Sequence, residues 1–209
     1  MSTEKINVKL NNIHNKSQRF AEIAKLGEVI FHTKDLANLW QIKNTNTLHT
    51  TLKRYTKAGL LFRIYKGFYS IKPIDNLDPL LLGSKALHEF CYITTETVLQ
   101  NEGIILQSSN KITFVSSKSK KFSIGKHNYY SRKLVDKYLY NPIGVHFVNG
   151  IKIATLSRAI ADMLYFNSNA YFDAEKFINW KEVKKIQEAV GYPLILKCYD
   201  FTKSKRRKA

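Results

Sequence analysis

Two cysteines in 209 residues, Cys91 and Cys198, are too few for a disulfide framework or a cysteine-built zinc site. No apolar run approaches the roughly 18 residues that a membrane span needs, and the N-terminus lacks the apolar stretch of a signal peptide. The six histidines are scattered, with no i,i+4 pair and no cysteine at ligand spacing. Acids are scarce as well: 16 Asp and Glu stand against 34 Lys and Arg, for a formal net charge of +18. What is plentiful is hydrophobic residues, at 44%, so wholesale disorder is excluded. The expectation is a basic, soluble, cytoplasmic protein of one large or two small domains, with neither metal nor cofactor.

The positive charge is unevenly placed. Residues 1–72 hold thirteen basic and four acidic side chains, an excess of about +9, and residues 203–209 add five positive charges. Residues 73–202 carry sixteen against twelve, close to balance. A lysine-rich solvated surface would spread its charge along the chain. Concentration in one third and a tail points to parts that meet a polyanion.

That first third has a readable order of elements. Residues 17–26 form an apolar stripe of Phe20, Ile23, Ala24 and Leu26 that Ser17 can cap and Gly27 stops, which predicts a helix. A short apolar run follows at Val29–Phe31. Thr33 is expected to cap a second helix ending near Trp40, with Asp35 in its positive first turn. Gln41–Asn44 make a turn plugged by Ile42. A third helix is predicted from Thr45 to Ala58, capped by Asn44 and ended by Gly59. Two strands, 60–65 and 68–71, then flank Lys66-Gly67, where glycine supplies the positive φ of a tight tip.

The third helix carries the functional signal. At 100° per residue Leu48, Thr51, Leu52 and Tyr55 share a face to be buried. The opposite face carries Asn46, Thr50, Lys53 and Lys57, flanked by His49 and Arg54. No acid occurs between residues 41 and 74. A solvated helix usually mixes both signs because i,i+4 ion pairs support it, whereas an acid-free face suits phosphates and base edges. Two helices, a turn, a basic third helix and a hairpin make a winged helix-turn-helix, whose third helix enters the major groove. Asn46, His49 and Thr50 are the candidates for base edges, and Lys53, Arg54, Lys57, Arg63 and Lys66 for phosphates. The same fold used for protein contacts is the alternative.

The remainder reads as a mixed α/β domain at 80–200, after a linker at Pro73–Pro79 and before a basic tail at 201–209. Helices are expected at 80–90, from a cap at Thr94 or Thr95 to Glu102, at 156–166 behind Thr155, and at 181–190. Strands are expected at 111–116, around Gly125-Lys126, and on either side of Asn149-Gly150, a strong hairpin signal. No catalytic set emerges. Gly83-Ser84 has the look of a nucleotidyltransferase turn, but no Asp-x-Asp follows to hold magnesium. Asp162 with Glu182 and Lys184 imitates a nuclease carboxylate set. Helical periodicity turns the last two about 200° apart. Arg158 and Asp162, one helical turn apart, are expected to form a surface or interdomain ion pair. Cys91 reads as a small buried apolar residue.

Three segments carry a family likeness: Phe31-His-Thr-Lys-Asp-Leu-Ala through Leu60-Leu-Phe-Arg-Ile-Tyr-Lys-Gly-Phe-Tyr; Tyr92-Ile-Thr-Thr-Glu-Thr-Val-Leu-Gln-Asn-Glu-Gly; and Ala154-Thr-Leu-Ser-Arg-Ala-Ile-Ala-Asp-Met-Leu. In these the sequence resembles the AbiEi antitoxins and transcriptional regulators of abortive-infection, type IV toxin–antitoxin systems. Thr155, Arg158, Ala159 and Asp162 fall on the family's "Thr-x-x-Arg-Ala-x-x-Asp" helix. The resemblance implies an autorepressor that binds double-stranded DNA at its own promoter, with a nucleotidyltransferase toxin as functional partner and antitoxin activity in the second domain. Two other readings stand beside it. One is a winged-helix protein with a nuclease second domain; the other is an RNA-binding protein using Tyr129, Tyr130 and Arg132. Oligomeric state is not legible.

Overall fold

The computed structural model describes residues 18–107 and 109–194. Ser17, Cys198 and the basic tail lie outside the described residues. The chain is a mixed α+β protein with one three-stranded and one six-stranded sheet, and it divides into two compact units between Leu77 and Asp78.

In the first unit, helix α1 covers residues 18–25. Strand β1 (Ile30–His32), helix α2 (Thr33–Leu39), helix α3 (Thr45–Lys57) and strands β2 (Phe62–Tyr65) and β3 (Phe68–Ser70) follow. Their core gathers Ile23 of α1, Leu36 of α2, Leu48, Leu52 and Tyr55 of α3, and Trp40 and Leu61. Each fully buried side chain of this size contributes about 1.5–3 kcal/mol. The Trp40 indole N–H donates to the Arg19 carbonyl at 3.2 Å, so the residue closing α2 also fastens α1. Ile42 packs half-buried against the same core from the turn.

Two local expectations are corrected here. Thr33 does not cap α2; His32 stands at that position, and its N–H donates to Asp35 Oδ2 at 3.0 Å. Thr33 is instead the first helical residue, and its N–H donates to the Gly67 carbonyl at 2.9 Å. The apolar run at 29–31 also becomes more than a connection. β1 pairs antiparallel with β3, which makes β3 the central strand of the order β1-β3-β2. Asn44 caps α3 as expected, its Oδ1 accepting the Thr47 N–H at 3.0 Å.

The second unit is built on a mixed sheet of order β6-β7-β5-β4-β9-β8. Its strands are β4 (Cys91–Ile93), β5 (Lys111–Ser116), β6 (Lys120–Ile124), β7 (His127–Lys133), β8 (Val145–Val148) and β9 (Ile151–Ala154). The Asn149-Gly150 tip joining β8 to β9 has positive φ at both residues, as a two-residue hairpin requires. Helix α4 (Pro79–Leu87) packs on the sheet face that carries Phe114 and Tyr129. Gly83 permits that approach, because a Cβ there would meet the Tyr129 ring at 2.3 Å. The Gly83-Ser84 pair is thus a packing device. Helices α5 (Glu96–Asn101) and α7 (Leu156–Phe166) lie on the opposite face. There Thr97 exchanges hydrogen bonds with Thr113, and the Glu96 carboxylate meets Arg132. Helices α6 (Asp136–Leu139) and α8 (Trp180–Val190) complete the unit.

Three boundaries differ from expectation. Helix α4 starts at Pro79, where Asp78 Oδ1 accepts the Leu80 N–H, so the linker's last residues are already capped helix. It ends at Leu87 and not Phe90, because His88 turns left-handed at φ 52°. Thr95 precedes α5 but caps nothing: at φ 52° and ψ −130° its hydroxyl donates to Thr113.

Candidate nucleic-acid interface

Helix α3 presents its two sides as designed by its pattern. Leu48, Thr51, Leu52 and Tyr55 are buried, while Asn46, His49, Thr50, Lys53, Arg54 and Lys57 are exposed. Arg63 and Lys66 of the hairpin are exposed too. The spacing sorts the exposed helical residues into two adjacent rows, 46–50–54 and 49–53–57.

The structure brings one row together with the hairpin. A groove of about 1070 Å³ is lined by His49, Lys53 and Lys57 of α3, by Arg63, Lys66 and Tyr69 of the hairpin, and by Lys34 of α2. No acid lines it, and none of these cations has an ion-pair partner among the described residues. Asn46, Thr50 and Arg54 lie outside the groove, on the neighbouring row. Among the described residues their side chains have no hydrogen-bond partner. Thr51 and Thr56 donate their hydroxyls to the Thr47 and Leu52 carbonyls of their own helix, whereas Asn46 and Thr50 make no such bond.

Lys34 was missed by sequence reasoning. It reaches the groove because the Thr33 N–H holds the hairpin tip against the start of α2, a pairing 34 residues apart in the chain. The glycine at the tip serves through its φ of +84°, which other residues rarely adopt, and not through space, since a Cβ there would stand at an ordinary 3.7 Å from the Thr33 hydroxyl. Nothing in the local pattern of α2 announces this.

The motif helix of the second unit requires a correction. Arg158 and Asp162 of α7 are both fully buried, and they do not form a surface pair. The Arg158 Nε–H donates to Asp162 Oδ1 at 2.8 Å. Its terminal nitrogens reach the Ile143 carbonyl at 2.9 Å, the Tyr138 carbonyl at 2.8 Å, the Tyr92 hydroxyl at 2.7 Å and, more loosely, the Asn141 carbonyl at 3.3 Å. Asp162 in turn accepts from the hydroxyls of Thr94 and Tyr192, each at 2.7 Å. Burial works against the Arg158 charge, but the Asp162 carboxylate and the two tyrosine hydroxyls outweigh it and hold the guanidinium firmly protonated. Burial, then the same carboxylate, pushes the Tyr92 and Tyr192 hydroxyls above the usual phenol range. Thr155 caps the helix, its Oγ1 accepting the Arg158 N–H at 3.2 Å. Gly144 stands where a Cβ would lie 2.8 Å from Arg158 Cβ. The motif is a saturated structural knot.

Other candidate positions separate. Glu182 and Lys184 are exposed on α8 while Asp162 is buried, so the three do not share a surface. Tyr129, named for RNA stacking, is buried beneath α4, with only Tyr130 and Arg132 half-exposed. Among the described residues no group of three or more His, Cys, Asp and Glu could hold a metal ion, and no helix is long and apolar enough to cross a membrane. Comparison with protein-family models finds no match, and comparison with curated proteins finds no relative.

Proposed function

We propose that this chain is a non-enzymatic, sequence-specific regulator that binds double-stranded DNA through a winged helix-turn-helix in its first unit. The observation that carries this reading is the acid-free groove in which Lys53, Lys57, Arg63, Lys66 and Lys34 converge with His49. A groove between a helix and its hairpin whose charged lining is entirely cationic is a seat for a sugar–phosphate strand. The adjoining row of Asn46, Thr50 and Arg54 then faces base edges, with the amide suited to adenine and the guanidinium to guanine, so Arg54 and His49 exchange the roles expected from the pattern, His49 joining the phosphate seat. At 13 residues, α3 is long enough to lie in a major groove. The likeness to AbiEi regulators supplies the biological setting: repression of the protein's own promoter, a nucleotidyltransferase toxin as functional partner, and a cytoplasmic location.

The test is binding to duplex DNA from upstream of the protein's own gene, against a scrambled duplex, across a salt series. The upstream duplex is expected to bind about 10³-fold more tightly, and Asn46→Ala with Thr50→Ala to remove that margin. Equal, steeply salt-dependent binding to both duplexes overturns sequence-specific recognition.

A further inference from the structure

We propose that a second, separate cavity in the second unit binds a nucleoside monophosphate. It is an open cleft at one end of the six-stranded sheet, lined by the start of β5, the β6–β7 tip, the last turn of α5 and the first turn of α4, with a volume of about 620 Å³. That volume is far more than a bare phosphate needs and falls within the range of about 300–1,000 Å³ typical of small-ligand sites.

The chemistry of its lining is biased in one direction. Lys111, the first residue of β5, and Lys126, in the hairpin tip, both line it. Neither has an ion-pair partner among the described residues, and no acid lines the cavity. Two of the neutral polar groups are also left as donors. Asn128 Oδ1 already accepts the Ser123 hydroxyl at 2.7 Å, which leaves its amide N–H groups for a ligand. Ser109 Oγ already accepts the Lys111 N–H at 3.2 Å, which leaves its O–H to donate. A site with two ammonium groups and oriented donors selects an anion rich in acceptors, and a phosphate is the common one.

The rest of the cavity says what the phosphate is attached to. Its lining includes Leu80 and Ile112, half-buried apolar side chains that suit the face of a planar base. Asn101 and Asn110 line it too, with both amide donor and acceptor functions, the complement of base edges and ribose hydroxyls. Cationic, apolar and carboxamide side chains in one lining together fit a mononucleotide better than inorganic phosphate or a nucleoside alone. This proposal does not rest on DNA binding by the first unit.

Calorimetric titration of the full chain with the four ribonucleoside 5′-monophosphates, their nucleosides and inorganic phosphate tests it. At least one monophosphate is expected to bind about tenfold or more tightly than its nucleoside and than phosphate. Lys111→Gln with Lys126→Gln should weaken that binding about tenfold while leaving the melting temperature unchanged, since both side chains are exposed. Asn101→Ala should weaken monophosphate and nucleoside alike. No binding by any monophosphate, or undiminished binding by the double lysine variant, overturns the proposal. So does an oligonucleotide that displaces the mononucleotide equally well with and without a 5′-phosphate, because that marks a backbone-contacting surface.

Discussion

Each unit has an arginine at its centre of interest, and the two are used in opposite ways. Arg63 of the first unit is exposed on a hairpin, beside other cations and without an acid among the groove's lining residues. Arg158 of the second is fully buried, with its donors spent on one carboxylate, three carbonyls and two hydroxyls. The difference teaches how to read a charged residue in a sequence. The exposed one is costly to nobody and available to a ligand. The buried one would be prohibitive without its partners, so its motif reports folding and not contact.

The sharpest way to break this contrast is to remove the partner of the buried charge. Asp162→Ala leaves Arg158 buried without its counterion and should cost about 3–5 kcal/mol in urea unfolding, whereas replacing both residues with apolar ones should cost less than either single change. A surface pair would show under 1 kcal/mol for any of these. Next in size is Gly83→Ala, which drives a methyl into the Tyr129 ring and should cost about 1–3 kcal/mol in the same measurement.

A third prediction uses pH. Burial pushes the Cys91 thiol up to about 12. Below the ordinary thiol value both folded and unfolded chains hold the proton, and the shift has no effect. Above it the unfolded chain loses the proton first, so stability falls with rising pH through the window up to about 12. The slope is at most about 1.4 kcal/mol per pH unit. Cys91→Ala should flatten that part of the curve, measured as the difference from the parent chain so that the tyrosines cancel. On the exposed side of the comparison the effects are smaller and depend on salt. Lys53→Gln should weaken DNA binding several-fold for specific and scrambled duplexes alike, and lower the salt slope by about 1. A full loss of folding in that variant would contradict its exposed position.

Local signals in the sequence were enough to place most elements. The periodicity of Leu48, Leu52 and Tyr55, the Asn44 cap, the Thr155 cap and the Asn149-Gly150 tip each act within four residues, and each element they announce is present. What escaped notice depends on distance. Lys34 enters the groove through a bond from its neighbour Thr33 to Gly67. The burial of Arg158 depends on Tyr92, Tyr138 and Tyr192, brought in from a strand, a short helix and the stretch after α8. An i,i+4 Arg and Asp look the same on a wet helix and in a core, and only the tertiary neighbours tell them apart. The near balance of charge over residues 73–202 likewise concealed that the cleft at one end of the sheet has two lysines and no acid in its lining.

If the first unit binds DNA as proposed, the bond between the Thr33 N–H and the Gly67 carbonyl has a consequence for the timing of recognition. A hairpin free at its tip would have to give up its wandering each time it met a ligand, and the lost freedom would be charged against the grip. Here the tip is moored to the helix pair before any encounter, so Arg63 and Lys66 arrive already aimed. Cutting that mooring with a residue that cannot hold φ at +84° should slow arrival and hasten departure without removing a single cation.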